Sequence, residues 1–583
     1  MLSRSSLLAG AAFAMVFAAG AHAQTATDGV KNAKAKHQAH RRVERRAEPV
    51  VRQDNTAAME SEMASMREQL DQLKAAQQQQ SAQDQAQMDQ MRSQLAQAQA
   101  TAQAAQEQLN TQIQTIPGVV DKAVAAVAPK TDKIYYRGIT ITPGGFAAIE
   151  SVYRSRNEGA DIGSSFAAIP LPYASSGAGR TAEYRESARQ SRFSLLAEGD
   201  VNRDVHLAAY GEADFLGAAL TANSNESNSF NLRMRVLYTQ IDWKQDWGKI
   251  EFLGGQNWSL ATLYTKGLAP RSENVPLTID AQYAVGFNWA RQPQMRLAAD
   301  FNDHVWFAVS VENPQTVWYT SGKYNTGVSV VDTIPGGAEF PASGTTYALS
   351  LNKLPDVIAK VAVDENLQGH SLHAEAYGLY RDFYARLDTS GTYSNESVPG
   401  GGVGGGAIFG LVPSWVDIQA SGLVGRGIGR YGSGQLPDAS FGLDGTIKPI
   451  QEWEVMLGGV VHPTKTLDVY AYAGEERQMQ QQYGTTASLQ NGVGNVFLSN
   501  AGCEVDGGSC GNSTHYLDQI TAGFWQRPYV GKFGRVQWGI QYSYTERHLF
   551  PGYGTVNPSL VTFNPAPIAR ENMIFTSIRY YPF

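Results

Sequence analysis

Two cysteines, Cys503 and Cys510, are all that 583 residues contain. This is not the disulfide framework that staples small secreted domains. Beyond the first residues no run reaches the roughly eighteen apolar residues of a membrane-spanning helix, so no helical anchor is expected. Charged residues make up only 17%, and the net charge of −7 is too diffuse to name a partner. No nucleophile and base stand in a context suggesting a triad. No His or carboxylate cluster has metal-ligand spacing. The glycine run from Gly400 to Gly406 is too far from any helix to cradle a phosphate. No enzyme, cofactor or metal site is expected.

The two ends are informative. Met1-Leu-Ser-Arg4, an apolar run from Leu7 to Ala19 and Ala21-His22-Ala23 have the order of a secretory signal peptide, assigned to 1–23. An exported chain has little occasion to meet nucleic acid, and its cysteine pair suits an oxidising compartment. Residues 24–53 are basic, with eight Lys or Arg between Lys31 and Arg52 against three carboxylates. They are expected to form a disordered arm, either touching anionic cell-wall polymer (peptidoglycan) or lipid headgroups, or serving as a solvated linker. Residues 54–116 lack Gly and Pro and are rich in Ala and Gln. Met59, Met63, Met66, Leu70 and Leu73 step by four and three, the seam of a coiled coil, and the seam resumes from Met88 with a phase break. So narrow a stripe has little to bury against except other chains. Pro117-Gly118 ends this helix, and 117–133 form a linker.

From 134 to 583 short turns and long connections alternate. Turns are marked by Asn202-Arg-Asp204, Lys244–Gly248, Asn302-Asp303, Asn366–Gly369, Pro413-Ser414, Pro463-Thr-Lys465 and Pro528–Gly534. Long connections fall near 155–187, 218–228, 259–281, 314–344, 388–404, 427–439, 477–513 and 548–570. Seven turns and eight loops make sixteen strands. This rhythm is that of an all-β transmembrane barrel of antiparallel strands in an outer membrane, with the turns and the preceding α-helical coiled coil in the periplasm. The last strand ends on Tyr581-Pro-Phe583, with Tyr581 and Phe583 on one face, and is expected to close the barrel against the first. A sixteen-strand barrel is too wide for side chains to fill and encloses water.

Arginines are the main candidates for chemistry in such a lumen. In Asn231-Leu-Arg-Met-Arg-Val-Leu-Tyr-Thr239, period two places Arg233 and Arg235 inward with Asn231 and Thr239, opposite Leu232, Met234, Val236 and Tyr238. Arg192 lies opposite Phe193 and Leu195 and also points inward. Arg291 and Arg296 flank Pro293, where a bulge is expected. Lys266 and Arg271 belong to the long connection after Gly254-Gly-Gln-Asn-Trp258, a loop that could fold inward and narrow the channel. Guanidinium groups hold carboxylates or phosphates through paired hydrogen bonds and keep their charge. The alternative is that they pair with wall carboxylates such as Glu212, Asp214 and Glu251. Cys503 and Cys510 enclose six residues of a Gly/Asn/Ser-rich loop and are expected to form a disulfide.

Several stretches together carry a resemblance: Ser-Ala-Arg-Gln-Ser-Arg-Phe193, Gly-Gly-Gln-Asn-Trp258, Arg-Gln-Pro-Gln-Met-Arg296, Gly-Ile-Gly-Arg-Tyr431 and His-Pro-Thr-Lys-Thr-Leu-Asp-Val-Tyr-Ala-Tyr472. Over about 54–583 the chain resembles DcaP-type porins, with phosphate-selective porins as more distant relatives. The resemblance implies a homotrimer of sixteen-strand channels in outer-membrane lipid, assembled with a periplasmic coiled coil. It implies diffusion of small anionic solutes, dicarboxylates especially, past arginines at the constriction. A phosphate-preferring or general porin, and a structural protein tethering membrane to cell wall, are the alternatives. Arg579 departs from the pattern, since it stands in a closing strand that is usually apolar.

Overall fold

The computed structural model describes Ser93 and residues 133–583, except 173–176, 218–224, 226, 320–322, 333–349, 487–488, 501, 504–510, 554–562 and 565–566. The signal peptide, basic arm and linker up to residue 132 lie outside the described residues, as does the coiled coil apart from Ser93, which is helical and exposed. No described helix is long and apolar enough to cross a membrane.

Sixteen long strands run through the rest of the chain. They are β1 Ile139–Arg154, β2 Arg192–Asp200, β3 Val205–Asp214, β4 Arg233–Gln245, β5 Gly248–Trp258, β6 Arg291–Phe301, β7 Val305–Glu312 and β8 Asp356–Leu367, followed by β9 His370–Thr389, β10 Thr392–Val412, β11 Val416–Arg426, β12 Gln451–Thr464, β13 Leu467–Gln478, β14 Thr514–Gly531, β15 Gly534–Leu549 and β16 Ile568–Tyr581. Each pairs antiparallel with its neighbour in sequence. The ring closes where β16 pairs with β1, from Ala147↔Tyr580 to Arg154↔Met573. Closure leaves no open sheet edge, the condition for a sheet to survive in lipid.

Period-two alternation decides what faces lipid. In β16, Met573, Phe575 and Ser577 are buried inside while Ile574, Ile578 and Tyr580 are exposed outside. Phe193, Leu195, Leu237, Leu297, Phe307 and Ile520 continue the outer apolar surface. So much exposed apolar area is tolerable only against hydrocarbon. β16 ends at Tyr581, which pairs with Arg535 of β15. Phe583 lies beyond the strand and is exposed, so of the two aromatics expected to close the barrel only Tyr581 belongs to a ladder.

One long connection is corrected. Residues 388–404 are not a loop: β9 and β10 meet at a two-residue turn, with Ser390 at φ 55° and Gly391 at φ 85°. These positive angles match the twist of tight hairpins, and glycine supplies one of them without strain. The glycine run was misleading because it is a strand. Gly404 faces the Tyr377 ring, whose nearest atoms would stand 2.4 Å from a Cβ. At roughly 3.3 Å per residue, β9 and β10 far exceed the 9–11 residues that span a bilayer. Their outer half pairs with a strand at Val328–Asp332 and packs on the hairpin Ala439–Phe441 and Ile447–Pro449, burying Phe383, Phe441 and Ile447.

Candidate functional site

The connection between β5 and β6, residues 259–290, folds into the barrel. Wall side chains take its backbone N–H groups at points around much of the ring. Leu260 N donates to Glu312 of β7 at 2.9 Å, Gly267 N to Asp364 of β8 at 2.7 Å and Tyr264 N to Glu375 of β9 at 3.2 Å. Further along, Leu277 N donates to the Tyr472 hydroxyl at 3.2 Å, Val285 N to Gln519 at 3.0 Å and Gly286 N to Glu476 at 2.8 Å. Gly286 has φ 83°, and a Cβ there would stand 1.9 Å from the Val455 carbonyl oxygen, so the backbone is pressed to the wall.

A second inward loop, residues 427–450, is fastened in the same way. Ile428 N and Gly429 N donate to Glu452 at 2.8 Å each. Asp438 accepts from Val317 N at 2.8 Å and pairs with the buried Arg381 at 2.6 Å. Arg430 pairs with Asp356 at 2.8 Å.

Against these loops stands the arginine wall. β4 carries a bulge: Glu212 pairs with Val236 and Ala213 with Met234, so Arg235 is the extra residue. Arg233 and Arg235 point inward as the periodicity predicts. Beyond the bulge the faces exchange, so Val236 and Tyr238 are inside, both 3% exposed, and Thr239 is outside, contrary to unbroken alternation. Gln256 secures the bulge by donating to the Met234 and Arg235 carbonyls at 3.2 and 3.0 Å. The bulge expected at Pro293 is absent, and β6 keeps its register there.

Arg233 holds Asp214 through two bonds, of 2.9 and 2.8 Å. Arg235 reaches Asp214 at 2.9 Å, donates to Glu212 and approaches the Tyr283 hydroxyl of the inward loop at 3.3 Å. Arg192 lies 3.5 Å from Glu212. Pairing with Glu212 and Asp214 is therefore real, whereas Glu251 meets Lys249 and Gln240 and no arginine. Arg291 has no carboxylate partner among the described residues. Its guanidinium lies 5.1 and 5.2 Å from the Trp258 and Trp289 rings, and its Nη1 is buried without a hydrogen-bond partner. Four guanidiniums thus face two carboxylates, an excess of two positive charges.

Two cavities adjoin this wall, of about 320 and 420 Å³. Arg235 borders both. The first is lined also by Arg192, Arg527, Arg535 and Arg579, with Asp280 and Asp468; the second by Arg233, Arg291 and Arg430, with no carboxylate in its lining. Burial pushes the Asp280 carboxyl up to about 6.

Solved structures share this barrel architecture. Among them is the outer membrane channel DcaP of Acinetobacter baumannii, with a TM-score of 0.50 and 18% identity over 77% of this chain and 98% of that one. The chain has a porin-like fold. The anion-selective porin from Comamonas acidovorans (TM-score 0.38, 10% identity, 76% of this chain and 99% of that) and OmpF of Salmonella typhi (0.40, 11%, 77% and 99%) match more loosely. No family model and no curated protein matches the chain.

Within the porin-like barrel the other expected residues separate. Arg296 does not reach the open lumen: it is 1% exposed beneath the inward loop, donating to the Trp258 carbonyl at 2.7 Å and the Tyr264 hydroxyl at 2.5 Å. Lys266 and Arg271 are exposed on the loop, and Arg271 lies 5.6 Å from the Tyr210 ring; neither lines the two cavities. Cys503 is buried and disulfide-bonded, and Cys510 lies outside the described residues. Arg579, unassigned by the sequence, faces inward and pairs with Glu150 at 2.7 Å. Its place was recoverable from alternation, because Ile578 and Tyr580 occupy the opposite face. Arg527, Arg535 and Arg430 were missed as well; Arg430 lies within the Gly-Ile-Gly-Arg-Tyr431 stretch, but no strand period fixes the direction of a loop residue. Among the described residues no group of three His, Cys, Asp or Glu could hold a metal ion.

Proposed function

We propose that the protein is a passive diffusion channel of the outer membrane for small organic anions, dicarboxylates in particular. The observation that carries this reading is the pair of cavities meeting at Arg235, whose linings hold eight arginines against two carboxylates. Selectivity follows the charges at the narrowest section, where low-dielectric walls concentrate the field. Arg192, Arg233, Arg235 and Arg291 keep a positive excess there after pairing with Glu212 and Asp214. A dicarboxylate gains by bridging guanidiniums on both sides of Arg235, each holding it loosely enough to let it move on. Long loops face outward and both ends of the barrel domain lie at the short-turn side, the periplasmic side in barrels of this type. There the coiled-coil stretch would join three chains into a trimer, and the Cys503–Cys510 bridge would tie down an outer loop. Reversal potentials of the purified channel in asymmetric salt, followed by block with succinate, test the reading. Anion preference with succinate block is expected, and cation preference in the unmodified protein would refute it.

A further inference from the structure

Tyr283 lines the first cavity beside Arg235, the residue that borders both, and belongs neither to the barrel wall nor to the arginine set. It sits in the inward loop with φ 72°, a backbone region that bulky side chains rarely enter. Its ring is wedged among Trp258, Phe287 and Trp289, with centroids 6.0, 5.3 and 5.2 Å away. The hydroxyl accepts from Arg235 Nη2 at 3.3 Å, a long bond for so strong a donor. Burial alone would push this phenol up, yet Arg235, Arg291 and Arg192 together hold it below its ordinary value. Two of those arginines keep a buried N–H without a partner, Nη1 of Arg291 and Nε of Arg192. One neutral oxygen therefore occupies the place where three cations converge, and the donors around it are not filled.

We propose that the Tyr283 hydroxyl is an internal stand-in for the permeating anion, holding the convergence point of Arg192, Arg235 and Arg291 until a carboxylate displaces it. The proposal rests on the anion-channel reading and names the residue that sets how tightly the site holds its solute. A carboxylate brings a full charge and about four lone-pair positions, so it outcompetes a phenol for the same N–H groups. When the solute leaves, the phenol returns and again gives Arg235 Nη2 an acceptor. The exchange keeps binding weak enough for flux, which a bare triple-arginine site would not. The wedge of tryptophans and the left-handed backbone keep the ring from swinging far, so that return is local.

Planar-bilayer recording with succinate on the full-length parent and on Tyr283→Phe tests this. The phenyl ring preserves the wedge and removes the oxygen. Reversal potential in the Phe variant should stay anion-selective, while block becomes roughly tenfold tighter with longer dwell times, the scale of a lost competing hydrogen bond to a charged group. Raising the pH from 7 to 10 should weaken block in the parent, as the phenolate forms and competes as an anion, and leave the Phe variant unaffected. The other ionisable groups near the phenol are the three arginines, Glu212 and Asp214 behind them and Asp280 of the same loop, and the Phe variant retains all of them. Unchanged or weaker block in the Phe variant overturns the proposal, as does identical pH dependence in both proteins. The parent's pH series alone keeps the test decisive should the variant fail to fold. A cation-selective parent would defeat the channel reading itself, whereas an anion-selective parent with an unaffected variant defeats only the role of Tyr283.

Discussion

Replacing Arg291 by glutamine removes a lumen charge without abandoning a partner. Arg291 has no carboxylate to leave behind, and its buried Nη1 is unsatisfied, so the fold loses no ion pair. Only a modest stability cost of about 0.5–2 kcal/mol is expected, from the lost cation–π contacts with Trp258 and Trp289. The electrostatic effect should be large. Arg192, Arg233, Arg235 and Arg291 exceed Glu212 and Asp214 by two charges, and the substitution halves that excess. A monovalent anion about 5 Å from a guanidinium gains roughly 3 kcal/mol at an effective dielectric constant near 20, and less where lumen water enters. A net loss of about 1–2 kcal/mol follows, hence roughly a tenfold weaker anion site, with a larger loss for a dianion. Single-channel recording reads both consequences: the reversal potential in asymmetric salt moves toward neutrality, and the blocking concentration of succinate rises by an order of magnitude. If both stay at the parent values while the protein runs as a folded barrel, Arg291 does not set the field and the charge ledger is wrong.

The other expectations follow from the same ledger. Arg233→Ser combined with Arg235→Ser should abolish anion preference, since two guanidiniums then face two carboxylates; Asp214, whose side chain is 1% exposed, loses both partners, and thermal unfolding in detergent should report about 3–5 kcal/mol of lost stability. Asp280 borders the first cavity with its carboxyl raised to about 6 by burial, so it is charged at pH 7.5 and neutral at pH 5. Anion conductance should therefore rise as pH falls through 6, and Asp280→Asn should remove that step; a pH-independent conductance in the parent would refute it. Reducing the disulfide of Cys503 should loosen its loop by about 2–3 kcal/mol of local ordering and leave barrel melting almost unchanged, as followed by limited proteolysis beside a melting curve.

What could be seen in advance depended on how local the cause was. Strand count and the seven short turns followed from alternation and turn chemistry, both fixed within a few residues. The inward direction of Arg192, Arg233 and Arg235 followed from the same period. Three errors share one origin: a residue whose place is decided by another part of the chain, across the sheet or laid over it. The bulge at Arg235 shifts Val236 and Tyr238 inside, yet nothing in their own sequence marks it; it shows only in the pairing with Glu212 and Ala213. The glycines from Gly400 to Gly406 suggested a loop by composition, and become strand because Tyr377 and Phe383 of the next strand need the room. Arg296 alternates correctly and still misses the lumen, because a loop folded from elsewhere covers it. No period in a sequence reports what will be laid over a strand.

On the proposed anion-channel reading, the loops also explain how an acidic chain would carry a positive lumen. The chain has a net charge of −7, and many inward-facing carboxylates stand on the barrel wall. Taken as free charges they would favour cations. Five of them are instead engaged as acceptors for backbone N–H groups of the inward loops: Glu312, Asp364 and Glu375 for the first third of 259–290, Glu476 for Gly286, and Glu452 for Ile428 and Gly429. An ionised or neutral carboxyl serves that purpose with its oxygen buried beneath a loop, out of contact with the permeation path. Arg192, Arg233, Arg235 and Arg291 instead border the two cavities, with only two wall carboxylates to share. On that reading the sign of the channel is set by which charges the loops cover, and removing the loops' hold on the wall would expose the acids and reverse it.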